Sequence, residues 1–216
     1  MSSVLLYLND LDLLACDATV MEVDEAGKRL LLDQTPFYPQ GGGQQSDKGL
    51  IQVANGGLCL TVVSVKKDPA TGQVWHAVSE SVSAEDLRGV QVHCQVDAKA
   101  RHDNSRSHSA GHALDHGIED LQLPLEVRGA CHFLPNPYVE YEFAEGCTAI
   151  PAKEDLPGLA RQLEDAANAI IARNVPITIY DGTVAELAPW RQALLPEAVR
   201  ASGRGSVSEP RWPQQE

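Results

Sequence analysis

His108-Ser109-Ala110-Gly111-His112 sets two imidazoles four residues apart. On a helix, residues at i and i+4 are neighbours, about 5–6 Å apart at Cβ, a spacing that suits two ligands of one metal ion. At about 100° per residue, His112 lies only about 40° from His108 around the axis. The apolar positions Ala110, Ala113, Leu114, Gly117, Ile118 and Leu121 recur at helical spacing and centre roughly 210° from His108. The pair should therefore face away from the core side of its helix, which leaves a metal site or a plain surface pair. His116 continues the row, but about 12 Å from His108 it is too far to share an ion with both. His102 is expected upstream of the helix. No Glu follows His108, so a His-Glu-x-x-His protease motif is disfavoured.

A second informative stretch runs Asp33-Gln34-Thr35-Pro36-Phe37-Tyr38-Pro39-Gln40-Gly41-Gly42-Gly43-Gln44. Three glycines permit positive φ and close approach of backbone to a ligand; a tight turn or bulge is the plainer alternative. Thr35 and Gln44 put a hydroxyl and an amide at the two ends of this loop, groups suited to reading a small polar substrate. No Gly-Lys-Ser/Thr follows, so ATP binding has no support.

Around these motifs the chain changes character near residue 98. Residues 1–97 read as mostly β: an apolar run from Val4 to Leu8, a hairpin from Ala18 to Leu32 about Asp24-Glu25-Ala26-Gly27, and strands near Leu58–Val65 and Val90–Val96. Many short strands with Gly and Pro turns suggest a small barrel. Beyond, Asp103 and Asn104 are N-cap candidates for the histidine helix, and Tyr138 to Phe143 is a strand. Leu156 to Ile171 carries the apolar stripe of a second helix, ending near Asn174 because Pro176 follows. Val175 to Tyr180 should be a strand, and Thr183-Val184-Ala185-Glu186 has capping-box spacing for a short helix. Residues 201–216 lack apolar period and are expected to be disordered.

Composition narrows the function. At 216 residues with 43% hydrophobic content, the chain can bury a stable core. No stretch approaches the ~20 apolar residues of a membrane span and no signal-peptide pattern opens the chain, so a cytoplasmic protein is expected. Five scattered cysteines without a Cys-x-x-Cys suggest reduced thiols. A net charge of −13 argues against broad nucleic-acid binding but allows a local grip on a tRNA end; it also allows a small-molecule hydrolase.

Together the motifs are more specific than apart. Leu31 to Gly49 resembles the Thr-x-Phe-Tyr-Pro-x-Gly-Gly-Gly-Gln block of the editing module shared by alanyl-tRNA synthetase and the free-standing AlaX-type alanyl-tRNA editing proteins. Arg106 to Asp115 resembles that family's Arg-x-His-Ser-Ala-Gly-His-x-Leu-Asp zinc motif. His132-Phe133 with Pro137-Tyr138-Val139-Glu140-Tyr141 resembles a third block, and order and separations fit over roughly residues 4–195. The resemblance implies an α+β fold: a small β-barrel-like domain (1–97), then an α/β sandwich editing domain (98–200) with helices on an antiparallel sheet. It implies zinc-dependent deacylation, in trans, of Ser-tRNA or Gly-tRNA mischarged for alanine, with the tRNA acceptor end as partner. His108 and His112 would be zinc ligands, and Thr35, Gly41, Gly42, Gly43 and Gln44 would line the amino-acid side, with Thr35 sensing the serine hydroxyl. The chain departs from the family in one respect: no Cys-x-x-x-His follows, and no cysteine lies beyond Cys147. An incomplete C-terminal end is therefore expected. A non-catalytic aminoacyl-tRNA-binding module is the alternative function.

Overall fold

The computed structural model describes residues 3–54 and 57–174, together with two later strands at 177–183 and 204–210. The chain runs β1 (Val4–Leu5), a 3-10 turn (Leu6–Leu8), β2 (Ala15–Val23), β3 (Arg29–Leu32), β4 (Gln34–Thr35), β5 (Gly49–Val53), β6 (Cys59–Lys67), β7 (Val74–Val78), α1 (Ala84–Leu87) and β8 (Gln91–Val96). It continues through α2 (Ala98–Asp120), β9 (Leu125–Cys131), β10 (Tyr138–Phe143), α3 (Leu156–Ala172), β11 (Ile177–Thr183) and β12 (Arg204–Pro210).

Strands β2, β3, β7, β6, β5 and β8 close, in that order, into an antiparallel barrel. Its inward residues follow the period of two: Val74, His76 and Val78 on β7, and Val92, Cys94 and Val96 on β8, are buried. On β6 the inward set is Leu60, Val62 and then Val65, because an irregularity between Val62 and Ser64 shifts the phase by one. The same happens on β2, where Val23 follows Ala18 and Val20 inward after a shift near Glu22. The β2–β3 hairpin turns where expected. Asp24 Oδ1 accepts from the Lys28 and Arg29 amides at 2.7 and 2.8 Å, and Gly27 takes φ +63°. A Cβ at Gly27 would lie 2.2 Å from the Val82 carbonyl oxygen. Phe37, from the glycine-rich stretch, plugs this core.

Helix α2 starts six residues earlier than even the first cap candidate, Asp103, suggested. Asp97 is the N-cap, its carboxylate accepting from the Ala100 amide at 3.0 Å. Asp103 pairs with Lys99 at 2.5 Å, Asn104 is buried in the helix, and His102 lies on the helix rather than before it. Contact on two sides also corrects the single stripe. Ala113 and Leu114 meet Ala167 and Ile170 of α3, while Gly111, on the histidine side, is buried against His132, the residue that follows β9.

The α+β class is as expected, but among the described residues the second part shows no continuous sheet. β9–β10 and β11–β12 are separate two-stranded antiparallel sheets. The tail expected to be disordered contributes β12, paired residue by residue from Arg204↔Thr183 to Pro210↔Ile177. A ladder is made by main-chain groups and needs no apolar period, so side-chain composition misled there; Pro210, which has no N–H, falls at the strand end. The expected short helix after Thr183 lies outside the described residues. Among the described residues, no helix is long and apolar enough to cross a membrane.

Barrel and helix are joined by a buried ion pair. The Arg101 and Asp47 side chains are 6% and 0% exposed. Arg101 donates to Asp47 from Nε at 2.9 Å and Nη2 at 2.5 Å, and to the carbonyls of Leu11 (2.7 Å) and Pro36 (2.6 Å). Asp47 also accepts from the Tyr38 amide at 2.7 Å. Arg101→Ala would leave the Asp47 charge buried and alone. It should cost about 3–5 kcal/mol in urea unfolding. Arg101→Lys should recover only part of this, since an ammonium cannot span the same fork of acceptors.

Candidate functional site

The glycine loop is a tight turn. Gly41 and Gln44 exchange backbone hydrogen bonds at 3.2 and 2.9 Å, and Gly42 and Gly43 between them take φ +56° and +73°. Consecutive positive φ values are the requirement of a type I′ turn, which only glycine meets cheaply here. The turn points at α2: a Cβ on Gly42 would lie 3.8 Å from His108 Cε1 and 3.9 Å from the Tyr38 hydroxyl. Tyr38 in turn donates to the Gly41 carbonyl at 3.2 Å.

Histidines 108 and 112 come together as the spacing requires, ring centroids 5.0 Å apart. Each is oriented through Nδ1. His108 Nδ1 donates to Gln44 Oε1 at 2.8 Å, and His112 Nδ1 to Asp115 Oδ2 at 3.3 Å. Asp115 accepts on its other oxygen from the Tyr141 hydroxyl at 2.8 Å. Burial alone would raise the Asp115 carboxyl, but the hydrogen bonds from His112 and Tyr141 outweigh it and hold the group below the usual range. Burial, then the neighbouring His112 and His132, push the His108 imidazole down to about 4. Both Nε2 atoms are left out of these bonds. That is how metal-binding histidines are set, with the second nitrogen tied to an amide or carboxylate oxygen. The donor set thus fits two ligands of a zinc ion. Among the described residues, no group of three or more His, Cys, Asp or Glu side chains is arranged to hold a metal.

Thr35 and Gln44 do not present free polar groups. Gln44 is buried and spends its amide oxygen on His108. Thr35 is completely buried inside the barrel, its hydroxyl 2.7 Å from His76 Nε2, so it has no surface from which to touch a substrate. His76 Nδ1 donates to the Leu30 carbonyl at 3.1 Å; Nε2 therefore accepts from Thr35, whose oxygen accepts from the Phe37 amide at 3.1 Å. The threonine works structurally, fixing where the glycine-bearing stretch leaves the barrel wall.

Sequence reasoning placed His132 in a matched block but did not bring it to the histidine pair. Its ring stacks on His108, centroids 4.5 Å apart and planes 14° from parallel. Sequence reasoning likewise gave no role to Asp115 or Tyr141 and did not foresee the Arg101–Asp47 bond. One clue to His132 was available. Glycine in a helix interior costs about 1 kcal/mol relative to alanine, so Gly111 between two histidines asks for a reason. The reason is that a Cβ there would stand 2.3 Å from His132 Cε1.

Two predictions follow from these contacts. Gly111→Ala, a change that stabilises an ordinary helix, should lower the melting temperature here and displace His132, detectable as loss of its ring NMR signature. For His76, burial depresses the imidazole to about 4 from an unfolded value near 6.5. The unfolded chain then takes up the proton first as pH falls. The His76 contribution is complete above pH ~6.5 and is lost progressively toward pH ~4, on the order of 3 kcal/mol. Melting curves of wild type and His76→Phe should diverge in pH slope across that window.

Residues 11–100 match the model of the class II (A) tRNA synthetase family. The chain is 32% identical over 158 residues to the alanine–tRNA ligase of Kocuria rhizophila, covering 73% of this chain and 16% of the ligase. It is 33% identical over 145 residues to that of Myxococcus xanthus, covering 67% of this chain and 15% of the ligase. It is 36% identical over 116 residues to the alanyl-tRNA editing protein AlaX-M of Pyrococcus horikoshii, covering 54% of this chain and 49% of that protein. The chain therefore spans about a sixth of the matched ligases and about half of the editing protein. On these matches and the motifs that underlie them, the chain is an alanyl-tRNA editing-related protein.

Proposed function

We propose that the protein hydrolyses the ester joining a wrongly attached serine or glycine to alanine tRNA, acting in trans on the tRNA acceptor end in the cytoplasm. One zinc ion would be held by Nε2 of His108 and of His112. The observation that carries this reading is the pair of free Nε2 atoms beside a turn of positive-φ glycines. When bound, zinc would supply Lewis-acid polarisation at the ester.

The rest is the work of the chain. Gln44 and Asp115 hold the two imidazoles in the tautomer that offers Nε2 outward. Gly41 and Gly42 are exposed, so main-chain groups of the turn can approach an aminoacyl group closely. Gly42 lies beside the Tyr38 hydroxyl and the His108 ring edge, and its positive φ is what calls for glycine at this corner of the site. Thr35 enters this reading as a positioning residue, so Thr35→Val should lower stability and leave the preference for serine over alanine in place.

A non-catalytic aminoacyl-tRNA-binding module is the second reading, favoured by the absence of a three-donor group among the described residues. Deacylation of Ser-tRNA and Ala-tRNA by the purified protein separates the two. The hydrolytic reading expects Ser-tRNA to be cleaved and Ala-tRNA spared, with His112→Ala losing both bound zinc and cleavage. If neither substrate is cleaved above the metal-free control, the binding module takes its place. Equal, near-stoichiometric zinc in wild type and His112→Ala would remove the histidine pair as the metal site.

A further inference from the structure

His132 is bonded through its backbone on both sides and packed at its ring, although it makes no bond that the proposed hydrolysis requires. Its amide donates to the Gly43 carbonyl at 2.8 Å, and its carbonyl accepts from the Ser107 hydroxyl at 2.9 Å. Its ring edge occupies the space that Gly111 leaves, and the residue is only 5% exposed. Glycine turn, helix α2 and strand β9 thus converge on one residue.

We propose that His132 is a positioning residue whose ring is the platform that sets the plane of His108, and through it the direction of Nε2. A ring held by one hydrogen bond along its edge can still pivot about that bond. His108 has one such bond, to Gln44. A flat, immobile neighbour at 4.5 Å and 14° removes the pivot. His112 does not share the platform: its ring is 6.4 Å from His132 and tilted 40°, and it takes its orientation from Asp115 instead. The role belongs to the flat face of the ring rather than to its nitrogens, since these side chains do not surround a common point as three donors.

The inference rests on the reading of His108 and His112 as a metal pair, and its test keeps the two apart. In metal-free protein, the His108 ring protons should be shifted by the stacked neighbour in wild type and in His132→Phe, and should move toward ordinary histidine positions in His132→Ala. In a Co²⁺ titration followed by its visible spectrum, His132→Phe should stay within roughly threefold of wild-type affinity, while His132→Ala should lose roughly tenfold or more. Thermal melts confirm that both variants fold. Unmoved His108 resonances in His132→Ala would overturn the platform, as would Co²⁺ affinity in His132→Ala equal to wild type. An affinity in His132→Phe as weak as in His132→Ala would assign the role to the nitrogens and overturn it equally. If wild type itself takes up no Co²⁺, the metal reading fails and the ring-proton shifts alone decide the platform.

Discussion

Everything at the site is referenced to the bond between Arg101 and Asp47. The guanidinium sits in the first turn of α2 and reaches four acceptors on three stretches of the N-terminal half: the Leu11 carbonyl, the Pro36 carbonyl and both oxygens of Asp47. Asp47 fastens the return of the glycine stretch to its outward limb, through its carboxylate to the Tyr38 amide and its own amide to the Tyr38 carbonyl. One buried pair therefore closes the loop that contains Gly41–Gly43 and sets the azimuth of the helix that carries the histidines. Two turns further along the helix, His108 arrives opposite Gly42. Buried pairs of this kind are weak evidence for net stability but strong geometric locks, because each partner is costly to leave unmatched.

The second organising feature is the use of missing side chains. Gly42 supplies a positive φ beside His108, Gly43 lets the turn come against Ala130 and His132, and Gly111 gives room to the His132 ring. All three give up local propensity or backbone entropy. What they gain is a close approach of three elements, and this allows imidazole rings, rather than aliphatic packing, to fill the junction.

Much of the fold was legible in the sequence because it follows local rules. Apolar runs between turn signals revealed β6 and β8 but passed over β5 and β7, and the Asp24–Gly27 turn and the Tyr138–Phe143 strand fall where turn chemistry and β-propensity put them. The phase shifts on β2 and β6 were not legible, since a one-residue bulge looks like a break in alternation. The start of α2 was misread because Asp97, Asp103 and Asn104 are all capping types; only the Lys99–Asp103 pairing and the burial of Asn104 show that the later two serve other ends. At the site, the i,i+4 histidines were legible from spacing. Thr35 was misjudged because a hydroxyl near a glycine loop looks the same in sequence whether it faces a substrate or His76, forty-one residues away.

The junction of β8 and α2 has a mechanical consequence. One residue, Asp97, separates the last residue of the barrel-closing strand from the first of the helix. Its amide donates to the Lys48 carbonyl at 2.8 Å and its carboxylate holds the Ala100 amide. Both torsions at this joint are therefore clamped, and rotation of the helix against the barrel would have to unzip the seam between β8 and β2. The histidine helix and the glycine turn behave as parts of one stiff frame. Among the described residues, the β9–β10 ribbon pairs with no third strand, so it is the less constrained neighbour of that frame.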